Sequence, residues 1–250
     1  MTRRRFFSPP HAFLSDQTLT LQAEETRHLR DVLRLKPGDE VYVFDGEGKE
    51  FRCEIEESRK DAARLKILAA VEPARSESLC RLTLAVALLK SDKFDLVVQK
   101  ATELGAVRIV PVMTTLADIR LRDESDAARR VTRWRRIVLE AAKQSGRALV
   151  PQVDQPISFA VLAQTTPDKL KVMFSEREGQ TLQEFKNNEA ENRHSITALV
   201  GSEGGWTAEE LSLARNNNWA IVTLGGRILR AETAAITAMV LLQHVYGDLN

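Results

Sequence analysis

Two glycine-bearing segments near the C-terminus contain the residue types from which a small-molecule site can be built. Leu199-Val-Gly-Ser-Glu-Gly-Gly-Trp206 follows a short apolar run and precedes a helical pattern. Leu224-Gly-Gly-Arg-Ile-Leu-Arg-Ala-Glu-Thr-Ala234 repeats that context a short way downstream. Glycine at a strand end lets the main chain approach a ligand without a Cβ and take positive φ. In open α/β sheets, ligands bind beyond the carboxyl ends of the strands. Neither segment contains a phosphate-loop lysine motif or GxGxxG, which argues against phosphate-loop and dinucleotide chemistry. Either loop alone reads equally well as a tight turn or a helix cap. Two of them, both strand-terminal, point to a ligand.

Other chemistries find little support. Cys53 and Cys80 are the only cysteines, and His11, His28, His194 and His244 are scattered. That is neither a disulfide framework nor a metal-ligand spacing, so no metal is expected. The net charge is +1, so the whole chain does not announce a polyanion partner. Local charge is different. Ten Arg or Lys against five acidic residues lie between Arg108 and Arg147, and the chain opens with Arg3-Arg4-Arg5. Such clusters either neutralise phosphates or form a solvated face. No apolar run approaches the roughly 18 residues of a membrane span, and no apolar stretch follows the N-terminal arginines. The expectation is a cytoplasmic protein with no membrane partner.

The pattern along the chain predicts what positions the loops. Glu40–Gly46, Glu50–Glu56 and Ala63–Leu68 alternate as half-buried strands do, with turns at Lys36-Pro-Gly-Asp39 and Asp45-Gly-Glu-Gly48. One short helix is expected over Glu24–Leu35. This reads as a small barrel-like domain over residues 1–72, followed by a polar linker over 73–80. From 81 to 250 strands alternate with helices, which predicts an α/β domain with a mainly parallel sheet. Its expected strands are Leu82–Leu89, Val107–Val112, Leu149–Val153, Leu170–Phe174, Ile196–Val200 and Ala220–Leu224. Its expected helices are Asp92–Leu104 (stopped by Gly105), Ser125–Ser145, Thr207–Asn216 and Ala231–Tyr246. Asn187–Arg193 is polar enough for an exposed loop. The apolar last helix suits either the core or a dimer interface.

Several motifs together resemble one family. They are Arg4-Arg-Phe-Phe7, His28-Leu-Arg-Asp-Val-Leu-Arg34, Lys36-Pro-Gly-Asp39, Gln99-Lys-Ala-Thr-Glu-Leu-Gly105, Trp134, Glu140-Ala-Ala-Lys-Gln-Ser-Gly-Arg147 with Pro151, and both glycine loops. The chain resembles the ribosomal RNA small subunit methyltransferase E family of the SPOUT superfamily over nearly its whole length. Two positions depart from the family pattern: Ser202 stands where proline is usual, and Gly226 is read as another such site. Both changes free the backbone.

The resemblance implies an N-terminal PUA-like β-barrel that holds RNA and a C-terminal α/β trefoil-knot domain, usually as a homodimer. It implies methylation of N3 of a uridine in 16S rRNA of the small ribosomal subunit, with S-adenosylmethionine as cofactor. The implied cofactor residues are Phe174, Leu199, Val200, Gly201, Glu203, Gly204, Gly205, Leu224, Gly225, Ile228, Leu229, Arg230, Thr233 and Ala234. Leu199, Leu224, Ile228 and Leu229 would sandwich the adenine. Arg230 and Glu232 are the catalytic candidates. Uracil N3 must lose a proton, and a guanidinium aimed at O2 and O4 stabilises the resulting charge. Glu232 would be a base or would orient an arginine, and the second role is favoured because a carboxylate is a weak base for so weak an acid. The candidate RNA contacts are Arg4, Arg5, Arg27, His28, Arg30, Arg34, Lys93, Gln144 and Arg147. Trp206 suits either base stacking or a buried anchor. Competing readings are a SPOUT ribose 2′-O-methyltransferase acting on rRNA or tRNA, a non-catalytic RNA-binding ribosome-assembly factor, and a nucleotide-binding metabolic enzyme.

Overall fold

The computed structural model describes residues 3–15, 17–168, 170–188 and 195–249. They form two compact units, one of residues 1–77 with 142–150 and one of 78–141 with 151–250. The break at Glu77 falls inside the stretch read as linker. Segment 142–150, expected in the C-terminal domain, goes instead with the first unit. There Val150 N donates to Gly46 O at 2.9 Å and Gly48 N to Ala148 O at 3.2 Å. These bonds split the expected strand Leu149–Val153, because Pro151 has no N–H to carry one ladder across the junction.

The first unit is a six-stranded sheet. Its strands are β1 (Arg5–Phe7), β2 (Phe13–Ser15), β3 (Thr18–Leu21), β4 (Glu40–Phe44), β5 (Glu50–Ser58) and β6 (Ala63–Val71). The order is β1-β4-β5-β6-β3-β2. The alternation read in β4 to β6 places Val41, Val43, Cys53, Ile55, Ala63 and Leu65 in one core with Phe6, Leu19, Leu21 and Leu29. Register shifts at Arg52/Cys53 and Ile55/Glu57 bend β5, as bulges do. The single helix expected over Glu24–Leu35 is two pieces: α1 (Ala23–Arg27) and a π-helical turn over His28–Val32.

The second unit is an all-parallel sheet with helices. Its elements are β7 (Arg81–Ala87), α2 (Ser91–Glu103), β8 (Ala106–Met113), α3 (Glu124–Ser145, whose last residues belong to the first unit), β9 (Gln152–Val153), β10 (Ile157–Ser158) and α4 (Phe159–Thr165). They continue with β11 (Leu170–Phe174), β12 (Gln180–Thr181), α5 (Leu182–Asn188), β13 (Ser195–Val200), α6 (Ala208–Asn216), β14 (Ala220–Thr223) and α7 (Ala231–Tyr246). The strand order is β10-β8-β7-β13-β11-β14-β12, with β9 beside β8. α5 takes in the backbone of Asn187 and Asn188. The rest of the expected loop to Arg193, and His194, lie outside the described residues.

Local signals account for the helix ends. Gly105 takes φ +84 after α2, and Gln243 Nε2 donates to Leu104 O at 3.0 Å. Thr207 and Glu210 form a capping box at the start of α6. In α7, Ala235, Ala238, Met239 and Leu242 are buried while Val240 stays exposed, so one face of this apolar helix serves the core. The strand order brings three carboxyl ends together. β13 lies between β7 and β11, and β14 lies on the far side of β11, so the loops after β11, β13 and β14 open on the same end.

Candidate cofactor site and basic residues

Those three loops line one cavity of about 380 Å3. A cavity of this size suits a small organic ligand. Trp206 builds its floor. The indole is buried and its Nε1 donates to Phe174 O at 2.8 Å, tying the first glycine loop to the end of β11. Of the two readings of Trp206, the structure takes the buried anchor. At Gly201 a Cβ would stand 3.0 Å from the indole, so any larger residue there would have to shift Trp206. At Gly204 a Cβ would meet Leu116 O at 2.6 Å, so the β8–α3 loop rests directly on this turn. Gly225 and Gly226 sit at φ +66 and +68 facing open space. Proline, locked near φ −65°, would not fit the backbone that Gly226 adopts in this chain.

Eleven of the implied cofactor residues line this cavity: Phe174, Val200, Gly201, Glu203, Gly204, Gly205, Leu224, Gly225, Ile228, Leu229 and Ala234. Leu199 does not. Its side chain is fully buried among Phe159, Met173, Trp206 and Leu211, so it supports the floor and cannot sandwich a ligand. Alternation explains this, since Val200 and Leu199 point to opposite faces of β13. Arg230 and Thr233 lie beside lining residues without lining the cavity themselves. The loop after β11 adds Ser175, Glu176 and Arg177, and the glycine loops add Ser202, Gly226 and Arg227. Sequence reasoning did not single out these residues. Their only local signal was their position just past a strand end.

Arg230 is the N-cap residue of α7, in extended conformation, and makes no side-chain cap bond. Among the described residues its guanidinium has no hydrogen-bond or ion-pair partner. Glu232 departs from expectation. Its ion-pair partner is Lys93, not an arginine, with Lys93 Nζ 3.5 Å from Glu232 Oε2 and 2.6 Å from Glu203 Oε1. One ammonium at the start of α2 therefore ties together the first glycine loop and the helix that follows the second. The Glu203 hydrogen bond holds the Lys93 pKa above its ordinary value. Burial pushes the Glu203 carboxyl up, but Lys93, helped by Lys90, outweighs it and leaves the pKa below the ordinary carboxylate value. The tie is lost only as pH falls through the lowered Glu203 pKa or rises through the raised Lys93 pKa. Cofactor affinity is therefore expected to be flat across neutral pH. Lys93→Met should weaken it about three- to tenfold, with Lys93→Arg largely restoring it, as read by calorimetry. Gly204→Ala, which must displace the Leu116 carbonyl, should cost at least roughly tenfold in the same titration.

The candidate RNA residues divide. Arg4, Arg27, Arg34 and Gln144 are exposed, and His28 is exposed with its ring edge-on to Phe6 at 5.9 Å. Arg30 pairs with exposed Asp31. Lys93 is engaged by the two carboxylates above. Arg5 and Arg147 are corrected outright. Arg5 is nearly buried, 3.1 Å from fully buried Glu50 and stacked 4.7 Å over the Phe44 ring. Arg147 is buried and donates to Glu77 from Nε at 3.0 Å and 3.2 Å and from Nη2 at 2.6 Å. Arginines already desolvated and paired are structural and are not offered to a phosphate.

Residues 76–243 match the family model described as an RNA methyltransferase domain, and residues 21–68 that of an RNA methyltransferase PUA domain. The chain belongs to this RNA methyltransferase family. It is 33% identical over 226 residues to Ribosomal RNA small subunit methyltransferase E of Synechocystis sp., covering 90% of this chain and 72% of that one. The protein of the same name from Bacillus subtilis is 31% identical, with 89% and 88% covered. Among solved structures, Ribosomal RNA small subunit methyltransferase E from Neisseria gonorrhoeae, bound to S-adenosyl methionine, superposes over the whole of both chains with TM-score 0.87 at 33% identity. A Legionella pneumophila methyltransferase in complex with the bound cofactor SAM does so with TM-score 0.88 at 30% identity. The N-terminal unit is thus the PUA-like domain, and the parallel-sheet unit is the methyltransferase domain with SPOUT relatives.

Proposed function

We propose that this protein transfers a methyl group from S-adenosylmethionine to N3 of a uridine in 16S rRNA of the small ribosomal subunit, in the cytoplasm and as a homodimer. Two relatives of similar fold, at 30% and 33% identity, are described with that cofactor bound. The residues here fit it. The cavity has the size for a nucleoside ligand, and Gly225 and Gly226, with open space where a Cβ would stand, leave room for a close approach. When bound, the cofactor supplies an activated methyl group and a neutral leaving group.

The chain's own task is alignment and charge stabilisation. The loops after β11, β13 and β14 hold the cofactor, with Leu224, Ile228 and Leu229 against the adenine. Uracil N3 becomes nucleophilic as its proton leaves and charge spreads to O2 and O4. Arg230 is the group placed to meet that charge. The observation that carries this reading is its position: an exposed guanidinium without an in-chain partner among the described residues, flanked by cavity-lining Leu229 and Ala231. Glu232, ion-paired with Lys93, is assigned to holding the start of α7 in place rather than to the base role.

Two measurements test this. Calorimetry with S-adenosylmethionine should give saturable heat, and labelled cofactor should transfer methyl stoichiometrically to small subunits lacking the modification. Binding of subunits without heat from the cofactor would identify a non-catalytic assembly factor instead.

A further inference from the structure

Between α1 and β4 the sequence pattern and the structure part company. Leu29, Val32 and Leu33 are spaced i, i+3, i+4, which on an α-helix places all three on one face. Leu29 is fully buried, yet Val32 is 69% exposed and Leu33 38%. The backbone explains this. His28–Val32 winds as a π-helical turn, with Leu33 N donating to His28 O and Leu35 N to Leu29 O, both at 3.0 Å. The wider turn swings Val32 and Leu33 off the buried face, and Leu35 returns to the core in their place. Arg34 follows at φ +54, a conformation that non-glycine residues adopt uncommonly. Isolated π turns and such backbone strain concentrate at functional positions.

The turn is also tied to the β5–β6 connection. The Arg30 guanidinium donates to the carbonyls of Arg59 and Lys60 while pairing with Asp31. The result is an apolar tip between exposed Arg27 and Arg34, neither of which forms an ion pair among the described residues. We infer that Val32 and Leu33 are an RNA-contact surface, pressed on ribose and base edges of the substrate while Arg27 and Arg34 take the flanking phosphates. Positive charge on both sides of the tip complements a polyanion, and apolar side chains wedge against bases in other nucleic-acid complexes. This inference rests on the reading of RNA as the substrate.

The test is a Val32→Ser, Leu33→Ser double variant of the full chain. Both side chains are exposed, so the melting temperature and the heat of cofactor binding should match wild type. Affinity for unmodified small subunits should fall roughly tenfold, with the slope of log K against log salt unchanged because no charge is lost. Arg27→Gln should instead lower that slope by about one. A double variant that binds subunits as wild type does overturns the inference. So does a change in its sedimentation, which would assign the tip to a second copy of the chain. Failure of wild type to bind subunits at all would overturn the functional reading itself, a result separable from either of these.

Discussion

Arg230→Ala is expected to slow methyl transfer roughly 10²- to 10³-fold and to leave the cofactor dissociation constant within about twofold of wild type. The split follows from where the residue sits. Its neighbours Leu229 and Ala231 line the cavity, but its own side chain does not. Its backbone begins α7, and that role survives the substitution because the side chain makes no cap bond. On the proposed mechanism, what is lost is a positive fork aimed at charge that appears only as N3 gives up its proton, and an interaction made only in the transition state lowers kcat rather than binding. Arg230→Lys should recover part of the rate, since it keeps the charge and loses the two-pronged donor. Single-turnover transfer at saturating cofactor reads the first effect and calorimetry the second. Near-normal transfer by the alanine variant, with cofactor binding intact, removes Arg230 from the chemistry.

Glu50→Ala should destabilise the PUA-like unit by about 3–5 kcal/mol. Glu50 is a fully buried carboxylate that accepts bonds from Arg3 at 3.0 Å, Arg5 at 3.2 Å and Ala74 N at 3.0 Å. Removing it leaves the nearly buried Arg5 guanidinium without a carboxylate, held only by the Phe44 ring and the carbonyls of Lys143 and Arg147, and strands a main-chain donor. Glu50→Gln should cost less, because one oxygen still accepts. Urea unfolding followed by tryptophan-independent circular dichroism of the sheet reads the loss. An unfolding midpoint unchanged in Glu50→Ala would mean that Arg5 is not held by this carboxylate and would return it to the pool of candidate phosphate contacts.

The two glycine loops were legible because strand ends, glycines and helix starts are local signals, and a ligand site in an α/β sheet is built from such junctions. Gly105 and Thr207 were legible as helix boundaries for the same reason. Three of the exceptions depend on partners distant in sequence. Arg5 and Arg147 read as available cations, since nothing local announces Glu50 or Glu77. Glu232 read as the orienter of an arginine, and its neighbour came instead from the start of α2. Leu199 read as a cavity wall because it opens the motif, yet one step of strand alternation turns it into the core. The segment His28–Leu33 misled most. Its apolar spacing fits an α-helix, and only the π turn reveals that two of its apolar residues face solvent.

On the proposed function, the base nitrogen, not the ribose, receives the methyl group. Purified protein, labelled S-adenosylmethionine and small subunits lacking the modification should be incubated together, and the rRNA digested to nucleosides for mass analysis. Label in the base of a uridine, at N3, is the predicted result. Label in the ribose 2′-hydroxyl, or in any other nucleoside, contradicts it.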